Sequence, residues 1–162
     1  MEEKVLTAQE EVNGLVEKAL VALDEYASFT QEQIDFIVAK ASVAALDKHG
    51  ELAKLAIEET KRGTFEDKAT KNLFACEYVT NNMKRTKTVG VISEDSVTGI
   101  TEIAEPVGVV AGVTPVTNPT STTIFKALIC LKTRNPIVFS FHPSAINCSI
   151  EAAQIVYDAA VA

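Results

Sequence analysis

The sequence predicts an α/β chain in which a helical layer leads through a β-hairpin into the first βαβ unit of a parallel sheet. Two observations carry that expectation. Charge is unevenly spread: residues 1–87 hold 12 basic and 16 acidic side chains, whereas residues 88–162 hold only 3 and 6. A charge-laced first part suits exposed amphipathic helices, and a charge-poor, β-branched second part suits buried parallel strands. The other observation is spacing. Two apolar runs, GVVAGVT and PIVFSF, lie about 30 residues apart with a helical pattern between them, the arrangement of a parallel crossover.

Taken in order, Thr7 and Glu10 form a capping-box pattern before Val12, Leu15, Val16, Ala19, Leu20 and Leu23, which recur at helical spacing. Thr30 and Gln33 repeat the signal before Ile34, Ile37, Val38 and Ala41, with Lys48-His49-Gly50 as a cationic last turn and glycine stop, His49 answering the helix dipole. A third helix is expected over 51–62, ending at Gly63. A fourth spans about 65–83, with Leu73, Phe74 and Val79 as its apolar face. TVGVI and SVTGITEI, separated by Glu94-Asp95-Ser96, read as an antiparallel hairpin over 88–103. Gly108 to Thr114 is a buried-strand pattern, Pro115 to Asn118 a turn, and Pro119 opens a helix to about Lys132 with Asn118 as a favoured N-cap. A second strand over 136–141 and an alanine-rich helix over 144–160 complete the pattern. The regions are 1–87 helical, 88–105 hairpin and 106–162 a partial dinucleotide-binding βαβα unit.

Composition narrows the function classes. A chain of 162 residues, 47% hydrophobic and 23% charged, has enough apolar content for a core and too much for a disordered segment. A net charge of −7 argues against a nucleic-acid partner, which needs a basic footprint. No apolar run reaches the roughly 18 residues of a membrane span. The acidic, polar start MEEKVLTAQEE has no secretory-signal character and suits a cytoplasmic location. Cys76, Cys130 and Cys148 share no CxxC spacing, and His49 and His142 are far apart, so neither a disulfide framework nor a metal site is expected. The cysteines fall in helical patterns as small core residues, and Glu58-Glu59 and Glu94-Asp95 read as solvated surface.

Chemistry is expected at the carboxyl ends of the two parallel strands, where open α/β sheets take ligands. In GVTPVTNPTSTTIFK, Thr120, Ser121 and Thr122 place hydroxyls around the free N–H groups of a helix start, although a well-capped helix alone accounts for the pattern. In FSFHPSAIN, Ser140 and His142 are placed to hydrogen-bond a ribose or adenine, and Pro143 fixes the turn; an ordinary strand-to-helix connection has the same composition. No GxGxxG or Walker loop is present.

At these residues the chain resembles a known family. EPVGVVAGVTPVTNPTSTTIFKALICLKTRNPIVFSFHP is similar to the nucleotide-binding segment of CoA-acylating aldehyde dehydrogenases, most closely the amino-terminal part of bifunctional aldehyde-alcohol dehydrogenases. TNPTST, LKTRN and the HP after the second strand carry the match, and the helices and hairpin follow the family's order. The resemblance implies an incomplete Rossmann-like domain of aldehyde-dehydrogenase type. It also implies a reaction in which a cysteine thiolate attacks an aldehyde, hydride passes to NAD, and coenzyme A releases the thioester. Carried over, Thr114, Pro115, Val116 and Thr117 line the nicotinamide side, Asn118 is a polar contact near the reacting carbonyl, and Ser140, His142 and Pro143 lie along the adenosine. The hairpin corresponds to the family's oligomerisation element, which implies a homo-oligomer. Two departures stand out: Phe141 replaces a common proline before His-Pro, and Ser144, Ala145, Ile146 and Asn147 replace a basic pair that would hold nucleotide phosphates.

None of the three cysteines matches the family's nucleophile motif, and that residue with its catalytic domain is expected beyond residue 162. The resemblance therefore implies a segment inactive by itself. A different class stays open, an oligomerisation or regulatory module docking on a full-length relative, as does a degenerate dinucleotide-binding module.

Overall fold

The computed structural model describes residues 7–162. The acidic start read at residues 1–6 lies outside them. Helices α1 (Ala8–Ala27), α2 (Gln31–Asp47), α3 (His49–Thr60) and α4 (Phe65–Leu73) come first, and α4 continues through a π-helical turn, Phe74–Tyr78, into α5 (Val79–Met83). The hairpin is β1 (Gly90–Asp95) with β2 (Ile100–Ala104), and the crossover unit is β3 (Val110–Val113), α6 (Pro119–Lys132) and β4 (Ile137–Ser140). A short 3-10 turn, Pro143–Ala145, then leads into α7 (Ile146–Val161).

Both capping boxes form, Thr7 with Glu10 and Thr30 with Gln33. The glycine stop at Gly50 does not. Helix α2 ends at Asp47 with Lys48 as its cap, and Gly50 is already inside α3; the His49 ring still reaches the Leu46 carbonyl at 2.7 Å, beside the Lys48 N–H that also binds it. The face of α4 also differs from the expected Leu73, Phe74 and Val79. Lys68, Asn72, Ala75 and Cys76 are buried and Phe74 is exposed, because this helix meets its neighbours through polar side chains as well as apolar ones. The Ser42 hydroxyl donates to the Cys76 carbonyl within the π turn at 2.6 Å.

The core is centred on α2, whose Ile34, Val38, Ala41 and Ala45 meet Leu52 of α3, Ile124 and Leu128 of α6, and Ala152 and Val156 of α7. Strands β3 and β4 pair in parallel, Val110 with Ile137 through Val113 with Ser140. β3 is less enclosed than its composition suggests: Gly112 is buried but Ala111 and Val113 are exposed. A side chain at Gly112 would meet Ile137 at 2.7 Å, so glycine is required for the two strands to approach. The hairpin pairs antiparallel with a bulge at Ile92, and both its faces are exposed. Its turn falls later than expected, with Asp95 still in the strand and holding the N–H groups of Val97 and Thr98.

The LKTRN segment fastens these parts. Helix α6 ends in a Schellman turn: Arg134 N–H donates to Leu131 O and Asn135 N–H to Cys130 O, with Arg134 left-handed at φ 58°. That conformation turns its buried guanidinium toward three carbonyls: Ala27 O at the end of α1 (2.8 Å), Thr88 O before the hairpin (3.3 Å) and Ala104 O at its end (3.0 Å). Lys132, also buried, pairs with Asp35 of α2. Asn135 Oδ1 accepts from Val107 and Gly108 N–H at 2.8 and 3.1 Å, aligning entry to β3.

Arg134→Gly keeps the left-handed turn, and even relieves roughly 1 kcal/mol of strain, while deleting the guanidinium. Charge-assisted hydrogen bonds are worth about 1.5–3 kcal/mol each, so urea denaturation should show a net loss of at least about 2 kcal/mol. Amide exchange should accelerate most across residues 88–104.

Candidate functional site

The ends of β3 and β4 lie side by side, and the Thr114 N–H donates to Ser140 O at 3.1 Å as a last rung beyond the strands. The segments 114–118 and 140–143 therefore leave the sheet from one edge. Thr114 is buried, with its hydroxyl unpartnered among the described residues. Pro115 and Thr117 are exposed, and Val116 packs on Ala56, Ala145 and Cys148. Across the rung, Ser140 and Pro143 are exposed and His142 is half-buried. The His142 Nδ1 accepts the Ser144 N–H at 3.1 Å and caps the 3-10 turn. A neutral ring in this position carries its proton on Nε2, the nitrogen left to donate.

Helix α4 forms the other wall. Lys68 Nζ donates to Thr117 O at 2.9 Å and Lys71 Nζ to Asn118 Oδ1 at 2.9 Å. The Thr120 hydroxyl donates to Asn72 Oδ1 at 2.8 Å, and Asn72 Nδ2 to His49 O at 2.9 Å. Burial and the neighbouring Lys71 hold the Lys68 ammonium below the usual lysine pKa. Two expectations change here. Asn118 precedes α6 but its side chain makes no capping bond, because Lys71 takes its oxygen. Thr120, Ser121 and Thr122 are buried, and Thr120 faces Asn72, so their hydroxyls do not ring an open anion site.

Glu59 is likewise no solvated surface carboxylate. Its Oε1 accepts from Asn147 N–H at 2.9 Å and Asn147 Nδ2 at 3.0 Å, and its Oε2 from Cys148 N–H at 2.8 Å, capping α7 from 88 residues away. Partial burial raises its pKa, but the bonds from Cys148 and Asn147 together outweigh that and hold it below the usual value. Local sequence showed none of these roles. Lys68, Lys71 and Asn72 sit in FEDKATKNL, whose charge reads as surface, and their i, i+3 and i+4 spacing was the one available hint.

The three cysteines are buried. Burial pushes the Cys76 thiol up to about 12, and burial with the adjoining Glu59 carboxylate does the same for Cys148. Burial also raises Cys130, against a smaller opposing effect of Lys126. A cavity of about 630 Å³ lies elsewhere, between α1, α6, β4 and α7, lined by Tyr26, Phe29, Cys130, Phe139, Val156 and Tyr157. It is apolar and does not reach the strand ends, where the polar groups converge. Among the described residues no cluster of three or more His, Cys, Asp or Glu could hold a metal, and no helix is long and apolar enough to cross a membrane.

Residues 4–162 match the model of the aldehyde dehydrogenase family. The chain is 72% identical over 161 residues to an aldehyde-alcohol dehydrogenase of Streptococcus pneumoniae serotype 4, covering 99% of this chain and 18% of that protein. An acetylating aldehyde dehydrogenase from Geobacillus thermoglucosidasius superposes with a TM-score of 0.91 at 52% identity, covering 93% of this chain and 33% of that one. A Rhodopseudomonas palustris propionaldehyde dehydrogenase, solved with bound CoA and an acylated cysteine, gives 0.76 at 28%, over 92% and 34%. The chain thus spans about 18% of the length of the bifunctional relatives it matches.

The Glu59 cap has a defined pH signature. A carboxylate whose folded pKa is depressed stabilises the fold above its unfolded pKa, near 4.3, and loses that contribution as pH falls through the folded value. Glu59→Gln should be less stable than wild type by about 1 kcal/mol at pH 7, a gap that closes as the pH drops below 4 in urea melts. Iodoacetamide at pH 8 should leave all three native cysteines unmodified and label all three in denaturant.

Proposed function

The chain belongs to the aldehyde dehydrogenase family, and from that premise we propose that it forms the cofactor-side segment of an NAD-dependent, CoA-acylating acetaldehyde dehydrogenase. It is of the kind found in bifunctional aldehyde-alcohol dehydrogenases, and its place is fermentative metabolism in the cytoplasm. The overall reaction converts acetaldehyde, CoA and NAD into acetyl-CoA and NADH, reversibly. The observation that carries this reading is the Thr114–Ser140 rung, which sets both loops on one carboxyl edge of a parallel sheet.

The residues suit a dinucleotide. Ser140 offers an exposed hydroxyl and His142 a ring N–H for ribose or base, with Pro143 closing that side. Thr114, Pro115, Val116 and Thr117 supply a mixed polar and apolar wall for the nicotinamide. The segment 140–147 contains no cation, so its contacts favour the nucleoside over the phosphates. Bound NAD supplies the hydride acceptor. Asn118 serves as the polar contact near the reacting carbonyl, held in place by Lys71. The nucleophile is none of Cys76, Cys130 or Cys148, since buried thiols with raised pKa values carry little thiolate at neutral pH.

A second reading draws on the hairpin, where Val97, Ile100 and Ile103 are exposed. A two-stranded hairpin with apolar side chains in solvent suits association, either with copies of this chain or with a full-length relative.

Calorimetric titration of the chain with NAD should give binding that Ser140→Ala and His142→Ala each weaken about fivefold, the equivalent of one hydrogen bond of about 1 kcal/mol. Absence of binding at millimolar NAD, or indifference to both substitutions, would reject this cofactor site. No acetaldehyde-dependent NADH should form from the chain alone. In light scattering, Ile100→Thr with Ile103→Thr should reduce the assembly state if the hairpin mediates association.

A further inference from the structure

Lys71 and Asn118 meet across 47 residues through a single contact whose polarity is forced by chemistry. An ammonium has three donors and no acceptor, so the Asn118 carboxamide must turn its oxygen toward Lys71. The Asn118 Nδ2 group then has no acceptor among the described residues, the contact with Lys71 being the one hydrogen bond of this side chain there. The half-exposed amide is left with two unused donor hydrogens at the edge where β3 ends.

The surroundings hold this arrangement firmly. One turn earlier on α4, Lys68 binds the carbonyl of Thr117, the residue before Asn118. Next to Lys71, Asn72 binds Thr120 in the first turn of α6 and His49 O in α3. Three side chains from one face of α4 therefore grip backbone, amide and helix start in succession. Lys68 and Asn72 are buried and locate the loop; Lys71 is exposed on its helix, and among the described residues its ammonium hydrogen-bonds the amide oxygen of Asn118 alone.

We infer that Lys71 is a positioning residue that sets the polarity of the Asn118 amide, presenting Nδ2 as a hydrogen-bond donor to the oxygen of the substrate carbonyl. This rests on the placement of Asn118 near that carbonyl proposed above. Such a donor favours charge building on the carbonyl oxygen during attack, whereas a flipped amide would set its own oxygen against that charge. The substitution Lys71→Arg would keep the polarity, because guanidinium is also donor-only; a carboxylate at the same position accepts only and would draw Nδ2 toward itself.

The test separates the two claims. In the isotopically labelled 162-residue chain, NMR of the Asn118 carboxamide should show the same Cγ resonance in wild type and Lys71→Arg, a displaced one in Lys71→Met, and in Lys71→Glu a perturbation transferred to the Nδ2 hydrogens. An Asn118 carboxamide unchanged by Lys71→Met overturns the inference. For the kinetic arm, this chain replaces the matching segment of the Streptococcus pneumoniae relative. Lys71→Met and Lys71→Glu should lower kcat by about 10- to 100-fold, short of deleting an oxyanion donor outright. The KM for acetaldehyde should move less than about threefold, and Lys71→Arg should retain activity. If Asn118→Ala loses kcat and Lys71→Met does not, the role of Lys71 is overturned. If Asn118→Ala keeps kcat while the NMR pattern holds, the placement of Asn118 at the carbonyl fails, and the inference falls with it.

Discussion

One buried guanidinium holds the architecture together. Arg134 occupies a left-handed position that a glycine would fill at lower backbone cost, and it projects from the end of α6 to carbonyls of three otherwise separate stretches: the end of α1, the approach to the hairpin and the hairpin's last residue. Ala27 and Ala104 end their elements and Thr88 lies just before one, so a planar fork of donors is well matched to satisfy all three. Without it the hairpin would lose its anchor at Ala104 and keep only the ties at Thr88, and two-stranded ribbons are marginal by themselves.

The adjoining residues extend the same logic. Thr88 donates its N–H to Gln31 Oε1 and its hydroxyl to Lys132 O, tying the hairpin to both α2 and α6. Lys132 is buried against Asp35, which Gln31 also contacts, so the charge taken from water is paired and hydrogen-bonded. Asn135 passes the alignment on to Gly108 and β3. The site is held from the opposite side by α4 and α3, through Lys68, Lys71 and Asn72 on one loop and Glu59 on the start of α7. Thr117 and Asn118 are thus held by side chains 49 and 47 residues away in sequence, the start of α7 by one 88 and 89 residues away, and the strand ends by the Thr114–Ser140 rung itself.

Much of the fold was legible. The capping boxes at Thr7 and Thr30, Pro119 at the first position of α6, the hairpin and the parallel pairing of β3 with β4 all follow from short-range chemistry or from a spacing that admits one connection. The misreadings share a cause. Gly50 resembled a stop, Phe74 a buried face, Glu59 a surface charge and Asn118 a cap, because each residue type has a common local use. Two were redirected by partners far along the chain, Glu59 by Asn147 and Cys148 and Asn118 by Lys71, while Gly50 falls inside α3. Phe74 lost its place because Lys68 and Asn72 claim the buried side of α4.

The sequence by itself determined which elements form and their order, since helix starts, turn residues and strand periodicity are written within a few positions of one another. Only the tertiary structure decided which polar groups are buried and what they hold. A lysine's burial, an amide's orientation or a carboxylate's partner depends on a neighbour brought in by folding, and pattern along the chain carries no record of it. That is why α4, charged and ordinary as a string of letters, proves to be the wall that holds Thr117 and Asn118.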